Sequence, residues 1–409
     1  MYNESKMKDT TTIADLSEKP IKNKNKKKWN ILLAVGLVLF AGGVVMLVLG
    51  LLPHGEKKDS PVFPDMSAKD DDKKTYSNLT GEVLADASLV NAPAFCIQTP
   101  NGTDGARPQA GLNTAGVVFE AIAEAGITRF AAIYQNPTSA VIGPIRSLRM
   151  YYLQWDTPFN CTIVHAGGAD DALAAVRSGG YRDLTENYAY MYRGTYGNRL
   201  WNNLFTTSTL LKQYNSDHGY ETSEISGFTR MTPDESNKAR INDLVAEKLD
   251  IQTPAKGNTS ELTAKVTNIG LRFGGWANFN VNYTYDVNSN KYLRSYESGA
   301  SHDVYSCPNE DLGEKNPEDA CELTQMAPSV VVAMIVNEKK AWDNYHEDIT
   351  AIGSGDAYVF QNGNAVRGTW KKGSAEDQIR FYDSDGEEIK LAPGQTFVSA
   401  VPNYGSVDF

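Results

Sequence analysis

The sequence predicts an α+β protein: an N-terminal membrane helix, a linker, a layered α/β domain and then a mainly antiparallel β domain. Three observations predict it. Residues 31–52 carry no charge, strand-like and helix-like stretches alternate from about residue 90 to 215, and after residue 260 short apolar alternations take over.

Of the 22 residues in 31–52, fifteen are Leu, Ile, Val or Phe. As a helix at 1.5 Å per residue they reach roughly 33 Å, the thickness of a bilayer's hydrocarbon core. A cleaved signal peptide has a shorter apolar region and a small-x-small site, whereas this run ends Gly50-Leu-Leu-Pro53. No cysteine precedes Cys96, so a lipidated cysteine cannot take the helix's place. Lys22, Lys24, Lys26, Lys27 and Lys28 flank the run on one side only. The positive-inside rule then sets a single-pass topology: residues 1–28 form a basic cytoplasmic tail, the bilayer is met through residues 29–52, and the remainder is extracytoplasmic.

The tail holds 8 lysines against 4 acidic residues, which leaves 31 basic against 46 acidic residues in the rest, a balance of −15. Nucleic-acid binding depends on neutralising phosphates with Lys and Arg, so that partner class is excluded. Residues 53–76, with three prolines and a run of charges, read as the linker. The N-terminal domain is expected over 77–250 and the C-terminal one over 251–409.

Within the first domain, 94–98 reads as a strand and 113–125 as a helix closed by Gly126. Next come a strand at 127–135, a helix at 144–156 with proline in its first turn, and a buried strand at 161–165. A helix at 170–177 ends at Gly179-Gly180, and a polar helix at 233–249 joins the halves. Alternation of this kind implies parallel pairing. The second domain shows strand-like runs at 261–273, 278–286, 290–296, 329–337, 357–370, 378–391 and 396–401. Asn362-Gly363 and Asp385-Gly386 lie between apolar alternations, which is a hairpin signal.

All four cysteines fall in the predicted extracytoplasmic part, where disulfides persist. Cys307 and Cys321 flank a polar loop suited to closure by a bond. Cys96 and Cys161 sit in strand-like runs and either bridge neighbouring strands or stay as two buried thiols.

Several motifs then resemble one family. Leu79-Thr-Gly81, Arg107-Pro-Gln-Ala-Gly-Leu112, Ala121-Ile-Ala-Glu-Ala-Gly-Ile-Thr-Arg129, Ile142-Gly-Pro-Ile-Arg-Ser147 and Val164-His-Ala-Gly-Gly168 occur in order, followed by Gly353-Ser-Gly355, Tyr358-Val-Phe-Gln361, Gly368-Thr-Trp370, Arg380-Phe-Tyr-Asp383 and Pro393-Gly-Gln395. Together they resemble the YerB-like family of bacterial surface lipoproteins of unknown function, over residues 78–403. The resemblance implies a tethered, two-domain surface protein with no assigned reaction. The chain departs from it in having a membrane helix instead of a lipidated cysteine. It also departs at Ile97-Gln-Thr99 and Trp201-Asn-Asn-Leu-Phe-Thr206, where titratable family residues are absent, which points away from catalysis.

Candidate site residues cluster in the first domain. His165 lies at the carboxyl end of a predicted strand, where α/β sheets bind ligands, although a structural histidine fits the same place. Gly167 and Gly168 precede a helix as in an anion site, but Asp170 and Asp171 in its first turn oppose an anion. Arg146, in the first turn of the helix expected at 144–156, needs an offsetting negative charge. Glu120 and Glu124, four apart on the helix expected at 113–125, supply it internally. The other source is a carboxylate-like ligand group gripped by Arg146 with Arg107 or Arg129. Ser147 lacks a nucleophile-elbow setting. Tyr192 and Trp201 belong to an aromatic-rich stretch that makes either a recognition surface or loop packing. No histidine pair has metal-ligand spacing, and Asp383-Ser-Asp-Gly386 reads as a turn, so neither metal nor cofactor is called for.

The function these features imply is an extracytoplasmic binding or scaffold protein of the bacterial cell envelope, recognising an envelope polymer or a protein partner. The alternative is an envelope hydrolase or transferase using His165, Arg146 and a carboxylate from Glu120 or Glu124.

Overall fold

Strand β1 (Ala94–Pro100) is buried along its whole length, and its alternate residues face two separate cores, Cys96 one and Phe95 with Ile97 the other. This is the behaviour of an interior strand of a sheet covered on both faces. The structure, a computed structural model, describes residues 74–194, 201–240, 264–308 and 316–409. All belong to one compact unit, Asp70–Phe409. The apolar run at 31–52, the basic tail and the linker up to residue 73 lie outside the described residues. Among the described residues no helix is long and apolar enough to cross a membrane.

β2 (Val117–Glu124) and β3 (Ile127–Gln135) form an antiparallel hairpin, and β3 continues antiparallel onto β1. The helix expected at 113–125 is therefore strand β2. Its Ala and Glu content favours helix, but all eight residues are buried between β3 and a C-terminal strand, and Val117, Val118 and Ile122 suit that double-sided packing. Ala125 and Gly126 turn the hairpin with φ of 50° and 75°, the pair of left-handed residues that a two-residue turn needs.

Helix α1 (Met150–Asp156) starts six residues later than expected at 144. Residues 144–149 stay extended because neighbouring chain takes their backbone donors: Ile145 N–H bonds Leu204 O, Arg146 N–H bonds Gln98 O at 2.7 Å, and Leu148 N–H bonds Gly167 O. β4 (Thr162–His165) and α2 (Asp170–Arg177) follow as read, β5 (Arg182–Thr185) was not foreseen, and β1, β4 and β5 are parallel. The short strands β6 (Tyr192–Arg193) and β7 (Leu204–Phe205) pair with each other. Helix α3 (Ser208–His218) is capped by Thr207 and α4 (Pro233–Ala239) by a capping box from Thr232 and Glu235. α4 ends at Ala239 with Arg240 extended, so the helix expected over 233–249 stops short, and residues 241–249 lie outside the described residues.

In the C-terminal part, β8 (Ala264–Lys265), β9 (Asn268–Arg272), β10 (Val281–Asp286) and β11 (Lys291–Tyr296) precede a pair not foreseen from sequence, β12 (Asp303–Ser306) and β13 (Glu322–Gln325). β14 (Val330–Val336) is followed by a second unforeseen hairpin, β15 (Glu338–Lys340) and β16 (Glu347–Ile349). β17 (Gly353–Gln361) and β18 (Asn364–Lys372) form the hairpin expected at Asn362-Gly363, both turn residues having positive φ. β19 (Arg380–Tyr382), β20 (Thr396–Pro402) and β21 (Ser406–Asp408) complete the chain.

One eleven-stranded sheet runs in the order β19-β18-β17-β14-β20-β2-β3-β1-β4-β5, with β8 added on β18. β20 is parallel to both β14 and β2, and so joins strands from the two halves of the sequence. One face packs on α1 and α2 through Trp155, Tyr152 and Val176, and the other on α3 and on the sheet β11-β10-β9-β21. Both disulfides are formed, Cys96–Cys161 between β1 and the start of β4, and Cys307–Cys321 across 14 residues.

Candidate functional site

The β2–β3 turn places Glu124 and Arg129 side by side, and α1 holds that hairpin through two phenols. Tyr151 donates to Ile122 O at 2.8 Å, and Tyr152 to Arg129 O at 2.7 Å. Glu124 accepts from Arg129 with Oε1 and from Arg149 Nη2 with Oε2 at 2.6 Å, so one carboxylate serves two buried guanidiniums. Arg146, brought alongside β1 by its backbone bond to Gln98, projects next to this trio. Glu124, Arg129 and Arg146 then line a cleft of about 370 Å³, together with Asp104, Asn202 and Trp276.

Arg146 is half-buried, and among the described residues no carboxylate lies within ion-pair distance of it and it donates no side-chain hydrogen bond. Burial lowers its pKa, with Glu124 and Asp104 pulling the other way and Arg149 and Arg193 adding repulsion. Burial also lowers the pKa of Arg129, to about 10, with Arg149 adding to the effect. Both stay charged at neutral pH. Near Arg146, the three guanidiniums of Arg129, Arg146 and Arg149 face the two carboxylates of Glu124 and Asp104, while Arg193 is paired with Glu186. Among these described groups the surplus is one positive charge.

The cleft rests on a buried polar network. Asn101, in the wall, donates to Thr128 Oγ1 at 2.8 Å and accepts from Arg107 Nε at 2.8 Å. Thr128 donates to Glu120, which pairs with Arg294. His302 accepts from Arg294 Nε on Nδ1, so Nε2 carries the proton that Gln109 Oε1 receives at 3.0 Å; burial keeps this ring neutral by lowering its pKa far below the usual value.

The candidates from the sequence separate here. Arg129, Arg146 and Glu124 meet in the cleft. Glu120 is fully buried beneath it, on a strand and not on the expected helix face, and its partner is Arg294 rather than Arg146. Arg146 sits on an extended segment, so the helix-dipole reason for an offsetting charge does not apply. Arg107 braces the wall, donating to Asn278 O at 3.2 Å and stacking 3.8 Å from the Tyr296 centroid. Ser147 gives its carbonyl to Arg129. His165 is buried away from the cleft, its Nδ1 2.7 Å from Gly167 O and its Nε2 2.8 Å from Asp183. The Gly167-Gly168 turn is tied by backbone bonds to Leu148. Tyr192 is buried against Phe205, whereas Trp201 is 64 % exposed. Sequence reasoning missed Asp104, Arg149, Asn202 and Trp276. Asn202 lay inside the departing motif Trp201-Asn-Asn-Leu-Phe-Thr206 without being singled out, and Trp276 is an aromatic ring directly after Gly274-Gly275.

Comparison with known proteins gives the relationship. Residues 79–221 match the N-terminal domain, and residues 270–398 the C-terminal domain, of a family described as "Protein of unknown function (DUF3048)". The Bacillus subtilis (strain 168) protein named "Putative lipoprotein YerB" is 24% identical over 384 residues, covering 92% of this chain and 96% of that one. The crystal structure of YerB from Bacillus subtilis superposes with a TM-score of 0.63 at 21% identity, over 82% of this chain and all of that one, which shows a shared fold. With both domains present and in order, the chain belongs to the DUF3048 family of YerB-like proteins.

Proposed function

We propose that this protein is a single-pass, membrane-anchored binding protein of the bacterial cell envelope that takes a carboxylate-bearing envelope component in the Arg146 cleft. The carrying observation is Arg146 itself: a half-buried guanidinium lining an open cleft, with no ion-pair partner among the described residues and one surplus positive charge around it. Leaving a guanidinium partly desolvated without a partner is costly, and a carboxylate that accepts its two-pronged donor set offsets that cost. A related lipoprotein name supports an envelope location, and the uncharged run at 31–52 with its one-sided lysines supports a helical anchor with the folded unit outside.

Two measurements test the reading. The full chain in detergent micelles, titrated with D-galacturonate as a monomeric carboxylate, is expected to release heat of binding that disappears in Arg146→Gln. Absence of binding, or binding unchanged in Arg146→Gln, overturns the carboxylate site. A reporter active only in the cytoplasm, fused after Phe409, is expected to stay silent, and activity there overturns the topology.

A further inference from the structure

Two side chains that line the Arg146 cleft carry charges of opposite sign that no described residue neutralises. One is Arg146. The other is Asp104, which lies within electrostatic reach of Arg146, yet among the described residues no guanidinium or ammonium group is within ion-pair distance of it. Glu124, by contrast, is taken up by Arg129 and Arg149. A cation and an anion that share one small cleft without closing on each other leave room for a ligand with one group of each sign.

Asp104 is exposed, but its carboxylate has a fixed place. Asn202, itself buried, donates from Nδ2 to Asp104 Oδ1 at 3.2 Å and to Asp104 O at 3.4 Å, across 98 positions of sequence. Gly102 makes the space, since a Cβ there would stand 2.3 Å from Asp104 Oδ1. Asp104 Oδ2 and Asn202 Oδ1 accept from no described residue, so the wall holds two neighbouring acceptors. An ammonium, with three N–H donors and no acceptor, suits them, as a carboxylate suits the two-pronged guanidinium of Arg146. A carboxylate with no ammonium beside it would meet the Asp104 charge as well as Arg146, and the repulsion offsets part of the gain. At about 370 Å³ the cleft is at the small end for a ligand pocket, so the two ligand groups belong close together. Trp276, 66 % exposed, and Phe279 give the cleft an apolar wall for the rest of the ligand.

We infer that the cleft binds an α-amino acid group, with the carboxylate on Arg146 and the ammonium on Asp104 and Asn202. This rests on the reading of Arg146 given above and names its ligand class: a free amino acid, or an amino-acid end joined to an envelope polymer through its side chain.

The test uses the full chain in detergent micelles and ligands that differ by one group. Both enantiomers of norleucine, hexanoate, which lacks the ammonium, and pentylamine, which lacks the carboxylate, are titrated calorimetrically into wild type, Arg146→Gln and Asp104→Asn. Asp104 is exposed and asparagine keeps an acceptor for Asn202, so this substitution leaves the fold intact. One norleucine enantiomer is expected to bind wild type about tenfold or more tightly than hexanoate, and pentylamine far more weakly than either. Asp104→Asn is expected to erase that gain while hexanoate binds as well as before or better, a crossed effect that a merely structural role would not give. Arg146→Gln is expected to abolish binding of both acids. Nε-acetyl-lysine, which is norleucine extended by an acetamide, separates the two sources: affinity no weaker than that of norleucine assigns the polymer end, and weaker affinity the free amino acid. If norleucine and hexanoate bind alike, or Asp104→Asn alters neither, the amino-acid assignment is overturned and the Arg146 carboxylate site stands. If pentylamine binds as tightly as norleucine, or neither acid binds at all, both readings fall.

Discussion

Arg294 donates from Nη2 to Glu120 Oε1 at 2.9 Å, with both side chains fully buried and the two residues 174 positions apart in sequence. Glu120 comes from β2 and Arg294 from β11, so the pair joins the two family domains beneath the cleft. Thr128 and Ser399 also donate to Glu120, while Tyr283 and His302 serve Arg294. A buried ion pair taken apart leaves a bare charge in the interior. Arg294→Met or Glu120→Leu alone is therefore expected to cost about 3–5 kcal/mol in urea unfolding, and the double variant much less than the sum. Additive single losses would show that the two residues do not act as a pair.

Arg146 behaves oppositely if it is held for a ligand. Its removal breaks no ion pair among the described residues and relieves repulsion from Arg149. Arg146→Gln is expected to shift stability by less than about 1 kcal/mol, whereas Arg149→Gln, which strips Glu124 of a partner, costs about 2 kcal/mol or more. Unfolding curves of the two variants check this, and equal losses would make Arg146 structural.

The two disulfides differ in the loop they close. In the chain-entropy view, Cys96–Cys161, across 65 residues, contributes about 4 kcal/mol and Cys307–Cys321, across 14, about 3 kcal/mol. Serine pairs at each position, compared by urea midpoint, are expected to keep that order. The reverse order would place the larger contribution in the shorter loop.

Glu338 supplies a pH dependence at the base of the β15–β16 hairpin. Burial raises its carboxyl to about 7, with the Tyr404 hydroxyl, Glu347 and Lys340 as the groups that face it. The folded state therefore holds the proton more tightly than the unfolded chain, whose carboxyl titrates near 4.5. The stability it contributes is present below that lower value and is lost as pH rises toward about 7. Glu338→Gln is expected to flatten the stability profile between those limits, and an unchanged slope would assign the dependence to another group.

How far the sequence reached depended on which residues carried the signal. Asn362-Gly363 announced its hairpin because few other residues tolerate two left-handed positions in a row. Residues 127–135 and 170–177 were legible for a similar local reason, an apolar period bounded by turn residues. Residues 113–125 misled because Ala and Glu favour helix in isolation, while the strand forms only once β3 and β20 flank it on both sides. The same error put Glu120 and Glu124 on one helix face. In the sheet they diverge, one into the core with Arg294 and the other to the cleft with Arg129 and Arg149.

Sequence alone therefore determined the uncharged run at 31–52 and its charged flank, the cysteine pairs as candidates, the family motifs and the arginines worth watching. These are local properties of hydropathy, spacing and residue chemistry. Tertiary structure alone decided that β20 stitches the two halves into one sheet, that His165 is enclosed, and that Trp276 stands beside Arg146 from 130 positions further along the chain. Those facts depend on long-range strand pairing and on which charges find partners when water is excluded, and no window of sequence contains both members of such a pair.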